Sequence, residues 1–296
     1  MLDFITWTAS PNLYSGFLTV RWYGLMFAIG FLFGYEVVYR IFKHEGAPEK
    51  WVGSLFIYVV VATIVGARLG HVFFYGWDYY SQHLSEIPKV WEGGLASHGG
   101  VLAIIIALLI YSRCVTHRSP LWVLDRIVVP VGLVAALIRL GNLMNHEIYG
   151  APTDLPWGFA FIANINEVMR GGEPVFTAPC HPTQIYEALC YLFIFGVCMW
   201  MYWRRNLQER PGLIFGTFML GIFVPRFLIE YVKNVQEPWE LTMRATWGID
   251  QGQLLSIPFI VLGVWLVVRA LRRQREPLTF PDRFPDEDSP RKGNGK

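Results

Sequence analysis

The sequence predicts an all-α, polytopic integral membrane protein with seven transmembrane helices, its N-terminus outside and its C-terminus cytoplasmic. Three observations predict this. Of 296 residues, 53% are hydrophobic and only 16% are charged. An ordinary soluble domain is about 25% charged, so the excess apolar surface must face lipid. Seven stretches approach the roughly 20 apolar residues that cross a hydrocarbon core: 20–39, 52–75, 97–112, 121–144, 184–203, 212–232 and 251–268. Finally, the loops alternate in charge. Segments 40–51, 112–120, 204–211 and the tail from Arg269 hold sixteen Lys and Arg, whereas 1–19, 76–96, 145–183 and 233–250 hold four. Cytoplasmic loops carry the basic excess, and that bias sets the orientation. A net charge of +2 gives no nucleic-acid footprint.

Met1–Ser10 contain Asp3 and no Lys or Arg. A signal peptide needs a basic n-region, so this segment is expected to be retained. The first helix runs inward, with Arg21 and Tyr23 at its outer end, and Arg21 can snorkel to the surface. The second runs outward and places Arg68 in its outer half. The third is short, carries His98 at its outer end and opens on Gly99-Gly100, so it is expected to begin inside the membrane. The fourth runs outward. Its Arg126, beside Asp125 near the cytoplasmic end, is expected to pair locally or snorkel, and Arg139 lies about one turn from the outer end. Segment 145–183, with its Pro and Gly, is expected to form an irregular external cap. Thr183 is placed to N-cap the fifth helix, which takes Gln184 and Glu187 into the membrane. The sixth carries Arg226 in its outer half, with Glu230 four residues later on the same face. The seventh leads into a tail with Pro277, Pro281, Pro285 and Pro290 and no apolar period. The expected organisation is one seven-helix transmembrane catalytic domain, 1–270, capped by 145–183, with 271–296 a charged, disordered cytoplasmic tail.

Cys114, Cys180, Cys190 and Cys198 show neither a metal-ligand spacing nor a disulfide framework. They are expected to pack as small hydrophobes, and no metal site is implied.

A basic residue at the centre of a spanning helix costs about 2.5–3.5 kcal/mol, so each one needs a reason. By topology, Arg68, Arg139, Arg226 and Glu230 share one depth with Tyr23, His98, Gln184 and Glu187. One reading is that these groups pair with each other and lock the bundle, Arg226 with Glu230. The other starts from arginines outnumbering the obvious carboxylates. A guanidinium fork matches a phosphate bidentately, and the phosphates at an outer leaflet are phospholipid headgroups.

Four strings sharpen the second reading. In Trp91-Glu92-Gly93-Gly94-Leu95-Ala96-Ser97-His98-Gly99-Gly100, the glycines leave His98 accessible beside a helix start. A neutral imidazole there can take a proton or simply hydrogen-bond. In the string from Arg139 to Gly150, Arg139 and Asn142 share a helical face, with Glu147 where the helix should end. Asn145 and Gly150 are natural helix stops. The remaining strings are His181-Pro182-Thr183-Gln184-Ile185-Tyr186-Glu187 and Arg226-Phe227-Leu228-Ile229-Glu230.

Together these strings, with Trp22-Tyr23-Gly24-Leu25-Met26 and the late Gly252–Pro258 segment, resemble the prolipoprotein diacylglyceryl transferases. The resemblance spans about residues 20–270, with six motifs in family order. It implies transfer of a diacylglyceryl group from phosphatidylglycerol to the lipobox cysteine thiol of a prolipoprotein. The products are a thioether and glycerol 1-phosphate, and no metal or other cofactor takes part. It implies a multi-pass enzyme of the bacterial cytoplasmic (inner) membrane, with its site toward the outer, periplasmic leaflet. Its partners are phosphatidylglycerol, the lipobox and signal-peptide segments of prolipoproteins, and the lipid bilayer. By matching position, His98, Arg139 and Arg226 are the expected catalytic residues. Tyr23, Tyr75, Arg139, Asn142, Glu147, Gly150, Arg226 and Glu230 are the expected phosphatidylglycerol-binding residues. Departures occur at Ile138, where Gly is usual, at His146, commonly a small residue, and at Asn234, often basic. Ile222 stands where some members have a tyrosine proposed as catalytic, which shifts weight to His98. The alternative is a transporter or channel for an anionic lipid or solute. That function expects polar residues through the full membrane depth, whereas the inner halves of the first, third, fifth and sixth helices are nearly all apolar.

Overall fold

A computed structural model of the chain describes residues 4–17, 19–234 and 238–275, without the side chains of Glu92, Ser97 and residues 238–241. In chain order these form β1 (Ile5–Thr6), β2 (Asn12–Tyr14), β3 (Val20–Arg21), α1 (Trp22–His44), α2 (Glu49–Tyr75), α3 (Trp77–Tyr80), α4 (Ser97–Tyr111), α5 (Pro120–Met144), β4 (Phe159–Ala160), α6 (Ile165–Val168), α7 (Thr183–Trp203), α8 (Leu213–Ile229), α9 (Pro238–Trp247) and α10 (Gln251–Arg272). Among the described residues, seven helical spans are long and apolar enough to cross a membrane, and they coincide with the seven expected stretches. Their exposed faces carry Ile57, Phe193, Val261 and Trp265, an apolar surface that lipid covers without cost.

The ends differ from expectation in instructive ways. α1 continues to His44, because Lys43 and His44 suit the negative end of a helix dipole. α4 begins at Ser97 and passes beyond Tyr111 into a π turn over Ser112–Thr116, closed by His117 at φ 51°. Thr183 does not cap α7. It is the first helical residue, and its hydroxyl donates to the Ile148 carbonyl at 2.8 Å, satisfying the preceding loop instead. α8 gives way at Glu230–Val232 to a 3₁₀ turn. The tail expected to be disordered lies, beyond Arg275, outside the described residues.

The described chain divides into two compact units, residues 38–126 and residues 4–37 with 127–275. In the 38–126 unit, α2 and α4 cross through small residues. A Cβ on Gly70 would lie 2.7 Å from the Gly99 Cα, and one on Gly99 would lie 2.6 Å from the Gly70 Cα. Helices in lipid associate by such backbone approach, having no hydrophobic drive between them. Near the start of α5, Arg126 pairs with Glu45, its Nε donating to both carboxylate oxygens at 3.0 and 3.1 Å. Its guanidinium lies 4.6 Å from the Trp122 ring centroid. This corrects the expected local pairing with Asp125 or snorkelling: consecutive side chains on a helix point apart, and both Arg126 and Glu45 are buried.

In the other unit, Gly30 of α1 meets Val134 of α5, Gly132 of α5 meets the Tyr191 backbone of α7, and Gly216 of α8 meets Leu266 and Gly263 of α10. Residues 145–183 contain only β4 and α6 as regular elements. They are tied down by β1, which pairs in parallel with β4 (Ile5 with Phe159, Thr6 with Ala160). The Trp7 indole donates to the Leu143 carbonyl at 3.1 Å. Beneath lies an apolar cluster of Leu143, Phe159, Phe161 and Cys180. Burial pushes the Cys180 thiol pKa up, so this cysteine is a packing residue rather than a nucleophile.

Candidate active site

α5 ends where its last turn becomes polar. Asn145 still closes a helical bond to the Gly141 carbonyl, and His146 then turns the chain at φ 55°. Thus His146, rather than Gly150, supplies the left-handed turn after the helix. The His146 imidazole is pinned on both sides. Nδ1 accepts from the Ile162 N–H at 3.0 Å, which places the proton on Nε2, and Nε2 donates to the Ala9 carbonyl at 2.8 Å. Burial holds its pKa below the usual value, opposed by the bond to Ala9. A neutral ring thereby joins the N-terminal strand to the cap.

Arg139 and Asn142, three apart on α5, meet as their spacing requires. Arg139 Nη1 donates to Asn142 Oδ1 at 3.2 Å. The Asn142 amide donates to Glu147 at 2.8 Å, and Asn145 donates to the same oxygen at 3.1 Å. Glu147 therefore orients Asn142 so that its oxygen faces the guanidinium. Tyr23, at the start of α1, packs on Gly141, where a Cβ would lie 2.9 Å from its ring. Its phenol feels both Glu147 and Arg139. At the start of α7, Gln184 donates to the Glu147 carbonyl at 2.6 Å, and Glu187 pairs with Arg139 Nε. Gly150 sits where any side chain would strike Val232, His181 or Thr183. Its bareness lets the loop pair with Lys233 beyond α8.

From α8, Arg226 and Glu230 enter the same cluster, but not as a pair. Glu230 lies 3.6 Å from Lys233 Nζ. Among the described residues, the Arg226 side chain has neither a hydrogen bond nor a carboxylate within 4.0 Å, although its charge still acts on Glu230. Gly252 of α10 packs directly on the Glu230 carboxylate, where a Cβ would be 2.6 and 2.7 Å from its two oxygens. α10 begins with a capping box between Asp250 and Gln253. Arg244 bonds Asp250 at 2.7 Å and the Glu230 carbonyl at 3.0 Å. The buried phenol of Tyr191 interacts with Arg139 and is also acted on by Arg226. The expected Tyr23, Arg139, Asn142, Glu147, Gly150, Arg226 and Glu230 all lie in this unit.

His98 and Tyr75 belong to the 38–126 unit. His98 is exposed in the first turn of α4, edge-on to Phe74 at 5.1 Å and Tyr75 at 5.6 Å between ring centroids. The loop before it is organised by Arg68. That guanidinium donates to the carbonyls of Ile87 at 2.8 Å, Glu86 at 2.8 Å, and Gly93 and Gly94 at 2.6 and 3.3 Å. It also stacks on Tyr80. Backbone carbonyls therefore use Arg68 fully, and it is no phosphate ligand.

The expected surplus of unpaired arginines is accordingly smaller than the sequence suggests. Arg68 is held by carbonyls, Arg126 by Glu45 and Arg139 by Glu187, and the Arg226 side chain has no carboxylate within 4.0 Å among the described residues. Sequence reasoning missed Lys233, counted as a loop charge but only 6% exposed, and Tyr191, hidden in an apolar run. It noticed Glu187 without giving it a role. A carboxylate carried into the membrane four residues before a tyrosine was the available signal. Among the described residues no group of three or more His, Cys, Asp or Glu is arranged to hold a metal ion.

A family model described as prolipoprotein diacylglyceryl transferase matches residues 11–269. A phosphatidylglycerol–prolipoprotein diacylglyceryl transferase of Porphyromonas gingivalis is 54% identical over 272 residues, covering 91% of this chain and 95% of its own. Relatives of the same name from Chloroherpeton thalassium and Tolumonas auensis are 44% and 40% identical. Their alignments cover 92% and 90% of this chain, and 96% and 98% of their own.

Proposed function

The chain belongs to the prolipoprotein diacylglyceryl transferase family, and from that premise we infer a transferase that moves the diacylglyceryl group of phosphatidylglycerol onto a prolipoprotein cysteine. The sulfur forms a bond to the terminal glyceryl carbon. The bond from that carbon to the phosphate oxygen breaks, and glycerol 1-phosphate leaves with the electron pair. The departing phosphate passes from one negative charge toward two, so cations poised around it stabilise the transition state more than the bound lipid.

The observation that carries this reading is the buried polar cluster in which Arg139 meets Asn142 and Glu187, and Lys233 lies beside Glu187 and Glu230, one helical turn from Arg226. Arg226 is half-buried with no carboxylate within 4.0 Å among the described residues, which leaves its fork geometry available to an anion from outside. Asn142, oriented by Glu147, and Tyr23 add neutral polar groups beside Arg139. A free thiol with pKa near 8.5 is only a few per cent ionised at neutral pH. His98, exposed beside Tyr75, is assigned the thiol proton. The site is placed toward the outer leaflet of the bacterial inner membrane, with the N-terminus outside and the C-terminus cytoplasmic. The sixteen-to-four division of basic residues between alternate segments supports that placement.

Mass spectrometry of a lipobox peptide incubated with the purified protein and phosphatidylglycerol tests the reaction. A diacylglyceryl adduct on the cysteine is expected, with glycerol 1-phosphate released in equal amount. Lipid flux without adduct would favour transport and end this reading. Replacing His98 with Ala is expected to slow the adduct by about 10²–10⁴, the range for a general acid–base group.

A further inference from the structure

Lys233 lies just past α8, almost fully buried, and neither the family motifs nor the chemistry above uses it. Its ammonium stands 3.6 Å from Glu230 and 4.0 Å from Glu187. Four residues apart on a helix, Arg226 and Glu230 would stack and pair by default. The α-helix stops at Ile229, and a 3₁₀ turn follows over Glu230–Val232. A 3₁₀ turn eclipses side chains three apart, which aligns Glu230 with Lys233 instead. The turn is anchored from outside: Ala151 N donates to the Val232 carbonyl at 2.8 Å, and Gly150 bridges to Lys233. Gly252 presses on the Glu230 carboxylate from the other side.

We propose that Lys233 is a positioning residue that draws Glu230 away from Arg226, so that the Arg226 guanidinium stays open for the lipid phosphate. Four cations and four carboxylates meet in this cluster: Arg139, Arg226, Lys233 and Arg244 against Glu147, Glu187, Glu230 and Asp250, with Arg244 held by Asp250. Only the routing of the pairs makes one cation available. Arg139 and Lys233 share Glu187, Lys233 takes Glu230, and Glu147 is engaged by two amides. Without Lys233, the cation left to the Glu230 carboxylate is Arg226, which already acts on it from one helical turn away, because Arg244 is bonded to Asp250.

This inference rests on the reading that Arg226 meets the phosphate. Its test therefore reads binding as well as turnover. Phosphatidylglycerol affinity is measured on the full chain in neutral detergent by the lipid's phosphorus-31 signal, and adduct formation is measured in parallel. Lys233→Met is expected to weaken affinity by about tenfold or more, within the range of coupled charge networks, and to lower kcat as well, because Arg226 serves the departing phosphate more than the bound lipid. Lys233→Arg, which keeps the charge, is expected to recover most of the loss. The double variant Lys233→Met/Glu230→Gln is expected to bind better than Lys233→Met alone, because no carboxylate remains to occupy Arg226. Lys233→Gln serves as the milder removal of charge should the Met variant not fold.

The proposal is overturned if Lys233→Met or Lys233→Gln leaves affinity unchanged. It is equally overturned if either lowers only the melting temperature, or if the Glu230 change adds its own loss without relief. That last outcome would make Lys233 itself the phosphate contact. Lipid binding with the predicted pattern but no adduct would instead remove the transferase reading and leave this one standing.

Discussion

Arg139 and Arg226 should separate stability from catalysis when each is replaced by Ala. Arg139 pairs with Glu187, which is 1% exposed. Removing Arg139 leaves that carboxylate buried with only Lys233 at 4.0 Å. Losing one partner of a buried pair costs about 3–5 kcal/mol, or a fall in apparent melting temperature on the order of 10 °C for a chain of this size. Arg226→Ala removes no hydrogen bond or ion pair among the described residues, so its stability loss should stay near 1 kcal/mol or less. Both variants should lose adduct formation by about 10²–10³ or more, as when one preorganised donor to a developing anion is removed. The decisive variant is Arg139→Ala/Glu187→Gln. With no charge left to strand, it should recover melting temperature but not activity. The assay pairs a thermal ramp of the detergent-solubilised protein with mass spectrometry of the lipobox peptide. Equal destabilisation by both arginine variants, or a double variant as unstable as Arg139→Ala, would refute the routing of these pairs.

Gly150→Ala should destabilise the protein by about 1–3 kcal/mol, the usual cost of overpacking, and lower activity. Its Cβ would lie 2.7 Å from His181 and 2.8 Å from Thr183 and push the bridged Lys233 turn away. A melting curve and the adduct assay check both. His146 has a folded pKa below its ordinary value near 6.5. The unfolded chain therefore takes up the proton first as pH falls. The ring's contribution is complete above pH 6.5 and is lost progressively as the pH falls below it toward the folded value. Melting temperature should drop between pH 7 and 5, less steeply in His146→Gln than in the parent. Arg68→Ala should free four carbonyls before His98. At about 1.5–3 kcal/mol for each bond to a charged donor, faster proteolysis within 84–96 is expected, with slower adduct formation.

The helix count was legible in the length and spacing of the apolar stretches. α7 and α10 read plainly as spans because water cannot cover Phe193 or Val261, whatever their neighbours. The cluster was legible too, as an anomaly. Arg139, Arg226, Glu187 and Glu230 cost too much in lipid to lie there without cause, and their shared depth followed from helix direction. Pairing was not legible. Arg226 and Glu230 have the spacing of an ion pair, yet the turn from α to 3₁₀ at Glu230 gives the carboxylate to Lys233. Arg68 shared an expected depth with Arg139, yet its guanidinium closes a loop through carbonyls 18–26 residues away.

What the sequence determined by itself is therefore a matter of solvent. Apolar length gives seven helices able to span a bilayer, and charge in apolar helices marks residues that need partners. The tertiary structure decided which charge meets which. Coulomb energy falls with separations of a few ångströms, and those separations are set by Gly252 against Glu230, Gly150 against Val232 and a 3₁₀ turn at a helix end. The two glycine contacts join residues 22 and 82 apart in the chain, and the local turn at Glu230 is held from outside, by Ala151 on Val232.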